Sequence, residues 1–318
     1  VSLPAAAAPL LVPLAAAPPV VARALGPGDG AARLRRLPWR GLAVAAAALA
    51  AGSWALLRPG PPPPWPAAPA ITALDVGQGD AILLRSPEGA AALVDAGPPG
   101  SPAPVARALR RVGVRRLDVM VLTHDSLDHV GGAADVLAEL DVGLVVHEPP
   151  PADGFAPAHE RAARAARDRG VPVRGVRAGG RLAVGRWRVT VLSPARGRLA
   201  GQDPNPASLV ALASADGLDV LLTADAESDG LAPLALRPVD VLKVPHHGSE
   251  DPGLARVLGR LRPAVALISA GEGNPFRHPR PETLAALADG GVAAWRTDVS
   301  GDVTVTVSGR GVAVAASR

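Results

Sequence analysis

Residues 123–129 read THDSLDH, which puts two His (His124, His129) and two Asp (Asp125, Asp128) within one short stretch. The run DVMVL at 118–122 precedes it and reads as a buried strand. Val130, Gly131 and Gly132 follow and open a helix-like run to Leu140. Imidazole and carboxylate are ordinary ligands of Zn and Mn. A strand-to-helix turn lets side chains converge that could not meet from mid-strand. The chemistry to expect is divalent metal binding and hydrolysis. An isolated His–Asp pair is more often a helix cap or a surface ion pair, so the weight falls on partners elsewhere. Of seven His in 318 residues, five fall in three short clusters: His124 with His129, His246 with His247, and His278. His147 and His159 lie in loop-like sequence and read as incidental.

Each cluster needs an element that ends where it begins. Residues 71–76, 81–85 and 91–95 read as strands separated by Gly-containing turns. A helix follows over 105–112. Further strands are expected at 189–193, 208–213 and 220–223. Apolar runs at 239–244 and 264–269 each end in polar or His-rich sequence. A helix with Pro in its first turn covers 281–288, and 304–307 reads as the last strand. Such a mixture implies an α+β fold of sheets covered by helices. The first strand ends in DVGQGD (75–80), where two Gly permit a tight turn at positive φ. LVDAG (93–97) places Asp95 at a strand end, where it can orient a ligand His. LLTAD (221–225) does the same for Asp225, a candidate to bridge two metals. LKVPHHGS (242–249) brings His246 and His247. Neighbours on an extended chain point to opposite faces, so one of the two is expected to reach a given ion. FRHP (276–279) brings His278 behind another strand end.

Composition narrows the classes. There is no Cys, which excludes disulfides and thiolate ligands. Tyr is absent and Phe occurs twice, so stacking platforms for nucleic-acid bases are scarce. The sequence pI of about 10.9 invites a nucleic-acid reading. Its excess charge, however, sits at one end. Residues 1–70 hold six Arg and one acid, leaving 27 basic and 28 acidic residues beyond them. Bulk charge therefore gives no argument for DNA. Residues 41–57 carry no charge and have Trp39 and Trp54 near their ends, as an interfacial anchor would. The expectation is a short transmembrane helix at about 41–57, then a stiff Pro-rich linker to residue 70 and a hydrolase domain over 71–318. Arg33, Arg35, Arg36 and Arg40 precede the run and only Arg58 closely follows. The positive-inside rule then leaves the domain on the outer face of the cell membrane.

The order of these stretches resembles the metallo-β-lactamase superfamily. More narrowly, DVGQGD and LKVPHHGS resemble the C-terminal hydrolase-like domain of ComEC-type competence proteins, which carry DNA through the bacterial inner membrane. The resemblance covers about residues 71–307 and implies an αββα sandwich with a metal site at the sheet-end loops. It implies His124, Asp128, His129, Asp225 and His247 as metal ligands, holding one or two Zn or Mn ions. Asp128, His246 and His278 would be catalytic. The pattern departs from the family at three places. Ser126 stands where a third His or Asp is usual, Asn205 stands near where a further His is expected, and Arg280 replaces a second His. The first metal position is weakened accordingly.

The function implied is a membrane-tethered nuclease that degrades a DNA strand during uptake, with DNA, the membrane and a DNA channel as partners. Two alternatives stay open. One is a hydrolase of a small ester or phosphodiester, and the other is a channel-supporting module with a weakened site. The chain starts with Val and lacks a large channel region, so it reads as a fragment or a shortened homologue.

Overall fold

In the computed structural model, residues 43, 46–50, 52–53, 62–100, 104–148, 154–196, 203–309 and 311–318 are described. Most of 41–57 lies outside them, and with it the expected membrane helix. Among the described residues no helix is long and apolar enough to cross a membrane. Pro62–Arg318 forms one compact unit.

Strands follow one another as β1 (Ala70–Ala73), β2 (Ile82–Arg85), β3 (Ala91–Val94), β4 (Arg116–Leu117), β5 (Val119–Leu122), β6 (Asp141–Val142), β7 (Val145–His147) and β8 (Val173–Gly175). Then come β9 (Arg181–Val184), β10 (Trp187–Ser193), β11 (Val210–Ala215), β12 (Leu218–Leu222), β13 (Val241–Lys243), β14 (Val265–Ile268) and β15 (Ala293–Arg296). The last are β16 (Val303–Ser308) and β17 (Gly311–Ala316). One sheet has the order β17-β16-β1-β2-β3-β5-β7-β8, and a second has β15-β14-β13-β12-β11-β10-β9. The short β4 and β6 pair separately. The strand expected last at 304–307 is thus followed by β17. That strand consists only of Gly, Ala and Val, so its sequence carries no polar–apolar alternation.

The layering follows from which side chains are buried together. Ile71, Leu84, Val94 and Val121 of the first sheet pack against Val189, Val220, Val241 and Val265 of the second. Leu83, Leu93 and Met120, on the other face of the first sheet, pack with Val105, Leu109, Val136, Leu137 and Ala162 from helices Pro104–Arg111, Ala133–Glu139 and Pro157–Asp168. Leu221, Leu242 and Ile268 pack with Leu231, Val257, Leu258 and Leu287 from helices Ser228–Leu231, Leu254–Leu261 and Pro281–Asp289. Four layers result: helices, sheet, sheet, helices. Strands β1, β2, β3 and β5 are buried on both faces, which is why they read as continuous apolar runs. Trp187 is fully buried and joins the sheets, donating its Nε1–H to the Arg85 carbonyl at 2.9 Å.

In the first sheet β3, β5, β7 and β8 run parallel. In the second β12, β13, β14 and β15 do so. Parallel neighbours send their carboxyl ends to the same edge, where loops can build a site. Asp95, His124, Asp225 and the His246–His247 pair each follow such an end.

Candidate metal centre

Asp225 stands in the middle of the site. Its Oδ1 lies 3.1 Å from His129 Nε2 and 3.7 Å from His247 Nε2. Its Oδ2 faces another pair, 3.7 Å from His124 Nε2 and 3.9 Å from His246 Nε2. Asp128 Oδ2 is 3.2 Å from His247 Nε2. Around a tetrahedral ion with bonds of about 2.1 Å, neighbouring ligand atoms stand ~3.4 Å apart. Two three-ligand groups overlap here, Asp128–His129–His247 and His124–His129–Asp225, each with its ligand atoms within 4.8 Å of one another. The buried atoms His124 Nε2, His129 Nε2, His247 Nε2 and Asp225 Oδ1 have no hydrogen-bond partner. Burying unpaired polar atoms costs free energy, and their convergence on one carboxylate fits a divalent cation.

The outer sides of the imidazoles are tied down. Asp95 Oδ2 is 2.7 Å from His129 Nδ1, and Asp95 also accepts the Thr123 backbone N–H at 2.8 Å and its hydroxyl at 2.7 Å. His247 Nδ1 meets the Ser269 carbonyl at 3.0 Å, and His246 Nδ1 meets Glu227 Oε1 at 2.7 Å. Thr123 Oγ1 is 3.1 Å from His124 Nδ1. In all four, Nδ1 is engaged outward while Nε2 faces Asp225, an orientation that suits ligation through Nε2. The electrostatics agree. Burial opposes charge on His247, but Asp225 and Asp80 outweigh it and raise its pKa to about 9. Burial likewise opposes charge on His129, and Asp225 and Asp95 raise it well above the ordinary value. Burial would lift Asp225, yet His129 and His247 hold it well below the usual carboxylate range. A bound cation takes over the stabilising role of these protons.

The second position is thinner. His124 and His246 flank Asp225 Oδ2, and Asn205 Nδ2 lies 3.4 Å from His246 Nε2. Ser126 adds nothing: its hydroxyl donates to Asp128 Oδ1 at 2.5 Å. Asp125 does not substitute, because its Oδ2 accepts the Ala156 N–H and its Oδ1 lies 3.9 Å from His159 Nδ1. His278 sits at the rim, its ring 5.7 Å from that of His246 and edge-on to it.

Metallo-β-lactamase superfamily sequences match residues 74–272. The chain belongs to that superfamily. Within it the chain is similar to ComEC-type competence proteins. It is 33% identical over 202 residues to ComE operon protein 3 of Bacillus subtilis, a match covering 60% of this chain and 25% of that protein. It is 31% identical over 246 residues to Recombination protein 2 of Haemophilus influenzae, covering 74% and 28%. The chain thus spans about a quarter of the length of these relatives. Among solved structures, the metallo hydrolase Igni18 of Ignicoccus hospitalis aligns with a TM-score of 0.51 at 15% identity, over 75% of this chain and all of that one. That likeness shows the fold alone.

Two expectations from sequence need correction against this metallo-β-lactamase site. His246 and His247 are not extended; both are left-handed, with φ of 48° and 55°, because the chain must turn at once after β13. Both therefore approach Asp225, from different sides. His147 and His159 are not in loops. His147 ends β7, and His159 is buried on the helix Pro157–Asp168, its ring 3.7 Å from that of Phe155. Asp80 and Lys243, quoted within motifs but given no role, form a buried ion pair behind His247. Lys243 Nζ is 2.6 Å from Asp80 Oδ2, and Asp80 Oδ1 is 3.4 Å from His247 Nδ1. Glu227, two residues beyond Asp225, was missed as the anchor of His246. Only its spacing from Asp225 hinted at it.

Ser126 leads to a prediction. The native chain is expected to hold one tight ion, and Ser126→Asp or Ser126→His to raise the stoichiometry toward two, as read by metal analysis after gel filtration. Two tight ions in the native chain would overturn this.

Proposed function

We propose that this chain is a metal-dependent phosphodiesterase that cuts a DNA strand during uptake. The observation that carries the reading is the set of orphaned Nε2 and carboxylate atoms converging on Asp225 in a chain similar to competence proteins. Its N and O donors suit Zn or Mn. Asp128, His129, Asp225 and His247 would hold the first ion, and His124 with the second oxygen of Asp225 would hold a weaker one. When bound, a divalent cation supplies a Lewis acid for the phosphate oxygens and lowers the pKa of a bound water.

The chain's own groups do the rest. Asp128 is only half-buried and faces both Ser126 and His247, so it can ligate or take the water's proton. Glu227 fixes the His246 ring and favours its protonated form, whose Nε2–H can donate to a phosphate or leaving oxygen. His278 stands next to His246 at the rim, within reach of a long substrate. The purified full chain, supplied separately with Mn and Zn, is expected to cut single- or double-stranded DNA and to lose this activity with chelator. Hydrolysis of small esters with no cleavage of either DNA would overturn the DNA reading. No cleavage of any substrate by the metal-loaded chain would reduce the domain to a supporting module.

The same proposal places residues 41–57 across the cell membrane with the hydrolase domain outside, beside a DNA channel. Protease added to intact spheroplasts is expected to digest the domain while a cytoplasmic N-terminal tag survives. Protection of the domain would reverse the orientation.

A further inference from the structure

We infer that Phe276 and Phe155 are stacking platforms for unpaired bases on two loops linked to the metal centre, so that the substrate strand is single-stranded DNA. This rests on the nuclease reading above and names its substrate more narrowly.

A chain with two Phe and no Tyr has few rings to spend. Its described tryptophans are engaged in packing: Trp187 is buried between the sheets, and Trp65 and Trp295 pack against the core. Both Phe stand on loops linked to the site, and each lies face to face with a His; Phe155 is half-buried and also meets His147 edge-on at 5.1 Å. Phe276 is 59% exposed, with its ring 5.8 Å from that of His278 and tilted from it by 29°. His278 in turn meets His246, which faces Asp225. Phe155 stacks on His159 at 3.7 Å and 13°. The neighbouring Ala156 N–H bonds to Asp125, the residue after His124.

The backbone of the Phe276 loop is pinned on both sides of the ring. Asn274 donates to the carbonyls of His278 at 2.6 Å and Gly271 at 2.9 Å, and accepts the His278 N–H at 3.0 Å. A ring held on a fixed loop loses little freedom when a base settles on it. Exposing an aromatic face to water is unfavourable unless a partner covers it. Leu127, next to Asp128 in the metal-binding turn, is 56% exposed and adds apolar surface there. Arg277 is exposed between Phe276 and His278, a cation where the strand's phosphates would pass. Bases in an intact duplex are already stacked on one another, so such platforms serve an unpaired strand.

The test is equilibrium binding of the full chain to a labelled oligothymidylate with an uncleavable phosphorothioate backbone, beside an abasic strand of equal length and charge. Removing one stacked base contact weakens binding by about 10- to 100-fold. Phe276→Ala is expected to show that loss on the base-bearing strand only, Phe276→Trp to restore the affinity, and Phe155→Ala to weaken the same strand. Equal losses on both strands, or no loss on either, would overturn the platforms. If the native chain binds and cuts DNA and Phe276→Ala does so equally well, the platforms alone fail. If the native chain neither binds nor cuts any DNA, the nuclease reading fails first and the platforms with it.

Discussion

Asp225→Ala is expected to leave the chain without bound metal. Each oxygen of this carboxylate faces two imidazoles, so Asp225 touches both halves of the centre. Without it the four Nε2 atoms lose their common counter-charge, and His129 and His247 face each other as like charges. Changing a residue that merely supports a ligand weakens metal affinity by about 10- to 100-fold. Loss of the central ligand should exceed that range. Metal content after dialysis, together with a competition titration against a chromophoric chelator, reads the effect. Asp225→Asn keeps the shape and removes the charge, so it separates loss of ligation from loss of folding. Native metal content in both variants would show that the ion sits elsewhere, on Asp128, His129 and His247 without Asp225.

The parts of this site that could be read in the sequence are those where one stretch carries its own signal. THDSLDH and LKVPHHGS concentrate rare residues behind short apolar strands, and the loops do converge at the carboxyl ends of parallel neighbours. Asp95 was legible as a partner for some ligand His because a lone acid at a buried strand end has few other uses, and the fold makes that partner His129. Contacts made only by folding were not legible. Asp80 and Lys243 are 163 positions apart, and each alone passes for a turn residue or a strand end. The left-handed His246–His247 turn is hidden because the apolar run of β13 gives no sign of where the extended chain stops. The helix Pro157–Asp168 was hidden by composition, since its Ala and Arg content resembles that of much of the chain. With that helix unseen, nothing could show that His159 is buried or that Phe155 lies near the centre.

Lys243→Met is expected to destabilise the domain by about 3–5 kcal/mol, the usual cost of stranding one member of a buried ion pair. Lys243 is 1% exposed and Asp80 1% exposed, so water cannot replace the lost partner. Burial alone would raise the Asp80 pKa, and Lys243 and then His247 pull it below the usual carboxylate range. For a domain of this size, such a loss lowers the Tm by on the order of 10 °C. Thermal unfolding with a chelator present removes any contribution from bound metal. The double variant Lys243→Met with Asp80→Asn strands no charge and is expected to recover most of the loss. A single variant as stable as the native chain, or a double variant no better than the single, would refute the pairing. Arg is not expected to rescue the site, although the other 32 of the chain's 33 basic residues are Arg. The Lys243 ammonium has three protons, and the pocket offers three acceptors: Asp80 Oδ2 at 2.6 Å, the Val244 carbonyl at 3.0 Å and the Ala224 carbonyl at 3.4 Å. A guanidinium is planar, larger, and brings five donors, so Lys243→Arg would bury N–H groups with nothing to receive them. It should melt below the native chain even with its charge intact, which a purely electrostatic account of Lys243 would not allow.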